Sequence, residues 1–352
     1  MSLKFTHEAL PSRVVFRAGA LEGLAAETAR LGKRALIIST RGQRLLAERC
    51  AGLLGEATAG VYANARPHTP ADGVREATDV ALRAQADCCV AVGGGSTIGL
   101  AKAIARHGLP ILAVPTTYSG SEVTPIWGYT EDGIKHVASD AQVQPRIVIY
   151  DPLLTLGLPP EVSGPSGVNA IAHCVEALYS ESASPLVALM AEEGIRALGR
   201  SLPMVVKEPR DLAARSEALY GAWCGGTVLG AAGMALHHKL AHVLGGAFNL
   251  PHAETHTILL PHVAAYNAVA APQAMERVAR ALGAGNAAQG LYNLNLAIGA
   301  KRALREIGMP EAGIDRAVGL ATQAPFYNPA PVIAERVRRL ILDAWHGRLP
   351  SS

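Results

Sequence analysis

Short, almost wholly apolar runs alternate with amphipathic stretches from Arg13 to about Asp151. The apolar runs are RVVF, RALIIS, CCVAVGGGS, ILAVPTT and RIVIYDP. Between them the periodicity predicts helices near Leu21 to Leu31, Gln43 to Leu54 and Ile98 to Arg106. Strands that are apolar along their whole length must be covered on both faces, which implies a mostly parallel sheet between helices. After Asp151 the pattern changes to long Ala- and Leu-rich amphipathic stretches: Leu186 to Leu198, Leu212 to Leu229, Met275 to Leu282 and Val332 to Ala344. Pro152, Pro159 and Pro160 mark the change. The expected fold class is an α/β amino-terminal domain over residues 1–155 followed by an all-helical domain over residues 156–352.

Within the helical half, LHHKLAHVLGGAFNLPHAETHTILLPH from Leu236 to His262 holds six of the chain's twelve histidines. His238 and His242 are four apart on a predicted helix and so share a face. Gly245 and Gly246 are expected to loosen the chain after that helix, and Pro251 introduces His252, which can return to the same space. His256 and His262 follow. Clustered imidazoles suit a transition metal or proton transfer near neutral pH, and spacing alone leaves both uses open.

Composition narrows the picture. At 352 residues, 49% hydrophobic and 17% charged, the chain can bury a large core. A net charge of +3 without a long basic run argues against nucleic acid as a partner. Cys50, Cys88, Cys89, Cys174 and Cys224 show no CxxC spacing and are expected to be reduced, structural thiols. No secretory signal pattern and no apolar run of membrane-spanning length is visible, so the expected location is the cytoplasm, away from membranes.

In the first half, Gly93 to Ser96 join an apolar strand to a helix. Glycines there allow close backbone approach, and the helix start offers free N–H donors to a phosphate. A second loop, PTTYSGSEVTP from Pro115 to Pro125, also follows an apolar strand. Side by side at the carboxyl edge of a parallel sheet, the two loops point to a dinucleotide. At the end of RALIIS stand Ser39, Thr40, Arg41 and Gly42, with no carboxylate to repel a 2′-phosphate, so both NADH and NADPH are expected as cofactors.

The set GGGS, TTYSGSE, NAIAHCVEALY and HHKLAHVLGGAFNLPH resembles the iron-containing alcohol dehydrogenase superfamily, and within it the maleylacetate reductase branch. The broader architecture is shared with dehydroquinate synthase. The resemblance implies an amino-terminal domain binding NAD(H) or NADP(H), with Gly94, Gly95, Ser96, Thr116, Thr117 and Ser119 in the cofactor loops beside Ser39. It also implies a helical domain with the active site in the cleft between, and a homodimer. The metal ligands of metal-dependent relatives fall on Asn169, His173, His238 and His252, and His242 matches a histidine near the nicotinamide. Asn169 puts a neutral amide where those relatives have their one anionic ligand, so the metal positions are expected to be vestigial and no metal required. The implied reaction is reduction of the maleylacetate carbon–carbon double bond to give 3-oxoadipate in aromatic-compound degradation. His242 is the first choice of proton donor, with His173, His238 and His252 lining the pocket. Asn169, Tyr118, His237 and Lys239 are the candidate substrate contacts. Lys135, Arg146 and His256 are further candidate partners for the two carboxylates. The competing readings are a metal-dependent NAD(P) alcohol dehydrogenase, a lyase of the dehydroquinate synthase type and a non-catalytic nucleotide-binding module.

Overall fold

The structure, a computed structural model, describes residues 12–132 and 134–351. The chain divides into two units, the first ending at Leu158 and the second beginning at Pro159.

The first unit contains the strands β1 (Arg13–Phe16), β2 (Ala35–Ile38), β3 (Thr58–Tyr62), β4 (Cys88–Gly93) and β5 (Ile111–Pro115), a hairpin of β6 (Ile126–Glu131) and β7 (Ile134–Ser139), and β8 (Ile147–Tyr150). Six of them form one sheet in the order β1-β8-β5-β4-β2-β3, and every neighbouring pair is parallel. Along β2, β4, β5 and β8 every residue is buried, as expected of strands covered on both faces. On one face Ile37, Val90, Val92, Leu112, Val114, Ile147 and Ile149 meet Leu21, Leu24, Ala47 and Cys50 in a single apolar cluster.

The helices of this unit are α1 (Leu24–Thr28), α2 (Arg44–Leu54), α3 (Ala71–Arg83) and α4 (Gly95–Ala105). The helix expected near Leu21 to Leu31 is shorter, a 3-10 turn over Ala20–Gly23 running into α1. Sequence periodicity does not reveal the hairpin: it falls in a stretch broken by Gly128 and Asp132, with β6 half-buried and the described end of β7 exposed. The chain passes from β2 outward to β3 and then crosses back to β4 on the other side of β2. The strand order therefore reverses between β2 and β4, and the crevice at their carboxyl ends is the position where open α/β sheets receive ligands. Gly93 of β4 is level with Pro115 of β5, so the two predicted ligand loops leave adjacent strands at the same height.

The second unit is helical throughout: α5 (Pro160–Leu178), α6 (Pro185–Lys207), α7 (Leu212–Ala231), α8 (Leu236–Phe248), α9 (His252–Asn267), α10 (Pro272–Ala281), α11 (Ala287–Ala297), α12 (Ile314–Thr322) and α13 (Ala334–His346). Gly245 and Gly246 do not end α8 as expected; they lie inside it. Two glycines cost about 1 kcal/mol each in a helix. Against this, Phe248 packs on the apolar cluster formed with α9, α12 and α13 and carries the Arg316 guanidinium over its ring, which holds the last turn in place. Among the described residues no single helix is long and apolar enough to cross a membrane.

Helices α5, α6 and α7 approach closely through small residues. A Cβ placed on Gly225 of α7 would stand 2.7 Å from the carbonyl oxygen of Ala170 in α5, the neighbour of Asn169. Gly225→Ala is expected to destabilise the protein by about 1–2 kcal/mol, because overpacking of about 1–3 kcal/mol outweighs the roughly 1 kcal/mol gained in helix propensity. The urea midpoint followed by far-ultraviolet circular dichroism measures it, and an unchanged or higher midpoint would show that α5 and α7 can move apart freely.

Candidate active site

In α8 the leucines Leu236, Leu240 and Leu244 recur every four residues and enter the apolar core with Leu259 and Val263 of α9. That stripe fixes the rotation of the helix, so His238 and His242 lie together on another face, with ring centroids 6.1 Å apart. The helix ends at Asn249, whose left-handed conformation (φ 52°, ψ 38°) turns the chain into Pro251, and α9 opens at His252. His252 and His256 are again four apart, with rings 4.3 Å apart. His252 does return to the same space, its ring stacked 6.1 Å from His242.

From α5, His173 brings its ring within 5.1 Å of His238. Asn169, one turn earlier on the same helix, is buried with its side-chain oxygen unpartnered. His256, weighed from sequence only as a carboxylate partner, is the hub of the group: its ring lies 4.7 Å from His238, 4.8 Å from His237 and 6.4 Å from His242. The spacing His252–His256 is the signal that could have found it. His262 lies apart, lining a different pocket with Tyr266, Arg336 and Asp343.

Burial is graded across the cluster. His242 and His252 are exposed, whereas Asn169, His173, His237, His238 and His256 are buried. Burial, reinforced by the neighbouring rings, pushes His173 and His256 well below the usual imidazole range and His237 down to about 4. His237 and His256 would thus meet a substrate carboxylate as neutral groups rather than as cations. Burial alone would push the Glu176 carboxyl up. The His238 ring beside it and hydrogen bonds from His238 and the backbone outweigh that, holding it below its usual range and ionised.

Sequence reasoning does not single out Glu176, although Asn169, His173 and Glu176 fall at positions i, i+4 and i+7 of α5. Ring nitrogens of His237, His238 and His256 lie within 4.8 Å of one another. Neither that set nor Asn169, His173, His238 and His252 includes a carboxylate. Of the cationic candidates, the Lys239 ammonium stands 5.9 Å from the Phe326 ring. Arg146 directly precedes β8, at the amino edge of the sheet and opposite the ligand loops of its own unit. The Lys135 side chain lies outside the described residues.

In the first unit the two loops interlock. A Cβ on Gly94 would stand 2.9 Å from Thr117 Cγ2, while Gly95 has only Ser119, at 3.9 Å. Gly95, Ser96 and Thr97 form the first turn of α4, whose opening amides can take a pyrophosphate. Gln43 Nε2 donates to Thr116 Oγ1 at 2.8 Å, tying the start of α2 to the second loop. Beneath lies Lys102 of α4, fully buried. Its Nζ donates to the Ser121 carbonyl at 2.6 Å, Thr124 Oγ1 at 2.9 Å and the Ile126 carbonyl at 2.8 Å. Tyr118 is fully buried within that loop. Ser39 is also fully buried, its hydroxyl donating to the Thr40 carbonyl at 3.2 Å, which leaves Thr40 and Arg41 as the open positions after β2.

Comparison with known proteins gives this arrangement a family. The model for iron-containing alcohol dehydrogenase matches residues 11–152, and the model for the carboxy-terminal part of the Fe-containing alcohol dehydrogenase family matches residues 164–345. The chain belongs to the iron-containing alcohol dehydrogenase family. It is therefore an oxidoreductase. Within that family the maleylacetate reductase of Sphingobium indicum is 52% identical over 349 residues, 99% of each chain. The crystal structure of maleylacetate reductase from Agrobacterium tumefaciens is 46% identical with a TM-score of 0.96, covering 99% of this chain and 100% of that one. A family member described as a putative alcohol dehydrogenase, from Ralstonia eutropha JMP134, is 56% identical with a TM-score of 0.98 over the same shares.

The interlocked glycine loop makes a direct prediction. Gly94→Ala forces Thr117 aside and is expected to weaken NADH binding by about tenfold or more, the cost of about 1.4 kcal/mol of displaced loop. Titration of NADH fluorescence measures it, and binding equal to the parent enzyme would show that the two loops do not form the cradle.

Proposed function

We propose that this enzyme reduces the carbon–carbon double bond of maleylacetate to give 3-oxoadipate, with NADH or NADPH as reductant, in the cytoplasm. The observation that carries the proposal is the 52% identity to a maleylacetate reductase over 99% of both chains. Five free, buried cysteines are consistent with a reducing compartment. No carboxylate stands in the Ser39–Gly42 turn, and the exposed Arg41, whose Nε donates to Asn64 at 2.9 Å, supports acceptance of a 2′-phosphate.

Bound NADH or NADPH supplies the hydride, which goes to the alkene carbon remote from the ketone. The substrate is left as an enolate, and the charge on its ketone oxygen calls for a positioned N–H donor. His242, exposed at the open end of the cluster, is the proposed donor of the proton that completes 3-oxoadipate. Asn169 and His173, buried with unpartnered polar atoms, are proposed to hydrogen-bond the substrate.

A resident divalent ion fits this donor set poorly. The candidate ligands are an amide and imidazoles, and the carboxylate of Glu176 is already bonded to the backbone of α8 and to His238. No carboxylate is left to contact the ion directly. Reduction of an activated alkene needs only a proton donor, so we propose turnover without metal.

Following NADH absorbance with maleylacetate and with a panel of aldehydes tests the assignment. Rapid oxidation with aldehydes and none with maleylacetate would favour the alcohol dehydrogenase reading that the Ralstonia relative's description suggests. His242→Ala is expected to lower kcat by about a hundredfold or more while NADH affinity holds. A fully active variant would move the donor role to another ring. Metal analysis of the purified enzyme is expected to find substoichiometric iron and zinc, and turnover should survive exhaustive chelation. Activity lost on chelation and restored by metal would sink the metal-free reading.

A further inference from the structure

Helix α8 starts without a capping side chain of its own, because Ala235 occupies its N-cap. Glu176 of α5 takes that place from across the helix interface. Its Oε2 accepts the Ala235 N–H at 3.0 Å and its Oε1 the His237 N–H at 2.7 Å. A cap needs nothing more. The same fully buried carboxylate also meets His238 Nδ1 at 2.6 Å through Oε2, the shortest of the three contacts.

Both Glu176 oxygens already accept a backbone N–H, so the geometry puts the proton of the third contact on His238 Nδ1. His238 Nε2 is then the ring's bare nitrogen. It is buried and unpartnered, in a group where the His256 ring is 4.7 Å away, His173 5.1 Å and His242 6.1 Å. His237 is fixed in the same turn, its Nε2 donating to the His256 carbonyl at 2.9 Å.

We propose that Glu176 is a positioning residue for the reaction, holding His238 in the one orientation and tautomer that presents Nε2 as an acceptor to His173, His242 and His256. Through that acceptor, His238 orients the N–H of a neighbouring ring or of the group bound among them. Glu176 is fully buried and its hydrogen bonds go to α8, so it acts through His238. The inference rests on the reductase reading for its kinetic consequence, but the tautomer itself is a property of the protein alone.

A double-mutant cycle with a spectroscopic readout tests it. Glu176→Gln cannot accept all three hydrogens, and it is expected to lower kcat at least about tenfold, as for other carboxylates that orient a functional imidazole, with the KM for NADH unchanged. In a His238→Gln background the same change should cost nothing further, since its effect runs through His238. Equal losses of kcat in both backgrounds would reduce Glu176 to a helix cap and overturn the proposal. Independently of any substrate, 15N spectra of the histidine-labelled parent, with His238 assigned by its loss in His238→Gln, should show a protonated Nδ1 and a bare Nε2. A protonated Nε2 with bare Nδ1 would overturn the proposal even if Glu176→Gln failed to fold. Failure to turn over maleylacetate, with the expected tautomer present, would count against the substrate assignment alone.

Discussion

Three hydrogen bonds converge on one buried carboxylate, and the helix that carries half the histidine cluster is seated by them. Burying a charge costs several kcal/mol unless its hydrogen-bonding capacity is met, and here the carboxylate meets two backbone amides and the His238 ring nitrogen Nδ1. The arrangement is demanding in return: the first turn of α8 has no local cap, so its register against α5 and the placement of His238 beside His173 stand or fall together. The first unit uses a buried basic group in a similar way. Lys102 lies fully buried beneath the second ligand loop, its Nζ bonded to two carbonyls and to the hydroxyls of Ser121 and Thr124, and burial pulls its pKa down to about 7. In both units a buried titratable side chain ties a helix to the segment that carries the candidate site residues.

The parallel sheet and the change to helices were legible because buried strands leave continuous apolar runs and long helices leave a periodic one. CCVAV and ILAV could hardly be anything else. The β6–β7 hairpin left no such trace, since its side chains are only partly covered and its pairing is local. In the candidate site, the pairs His238–His242 and Asn169–His173 followed from helical spacing. The central position of His256 did not, because it depends on the angle at which α9 leaves Pro251. Glu176 escaped notice for a related reason: a carboxylate near the end of an amphipathic helix looks like a solvated charge until the partner helix places its amides above it.

The family bears iron in its name, and at this site the chain offers an amide and imidazoles, with the nearby carboxylate of Glu176 bonded to α8 and His238. Ring nitrogens serve equally as ligands, donors and acceptors. Burial is graded across these rings, with exposed ones at one end and rings kept neutral by burial at the other.

The turn between α8 and α9 has a consequence for how this protein can vary. Asn249, Leu250 and Pro251 set the rotational phase of α9, and each residue of a helix advances its side chains by about 100°. One residue added to or removed from that turn would swing His252 and His256 off the cluster together, while His238 and His242 stayed where their leucine stripe holds them. The identity of these residues can drift within the limits of a left-handed position and a buried apolar one. The length of the turn cannot, so it behaves as a gear tooth between two helices rather than as a flexible connection.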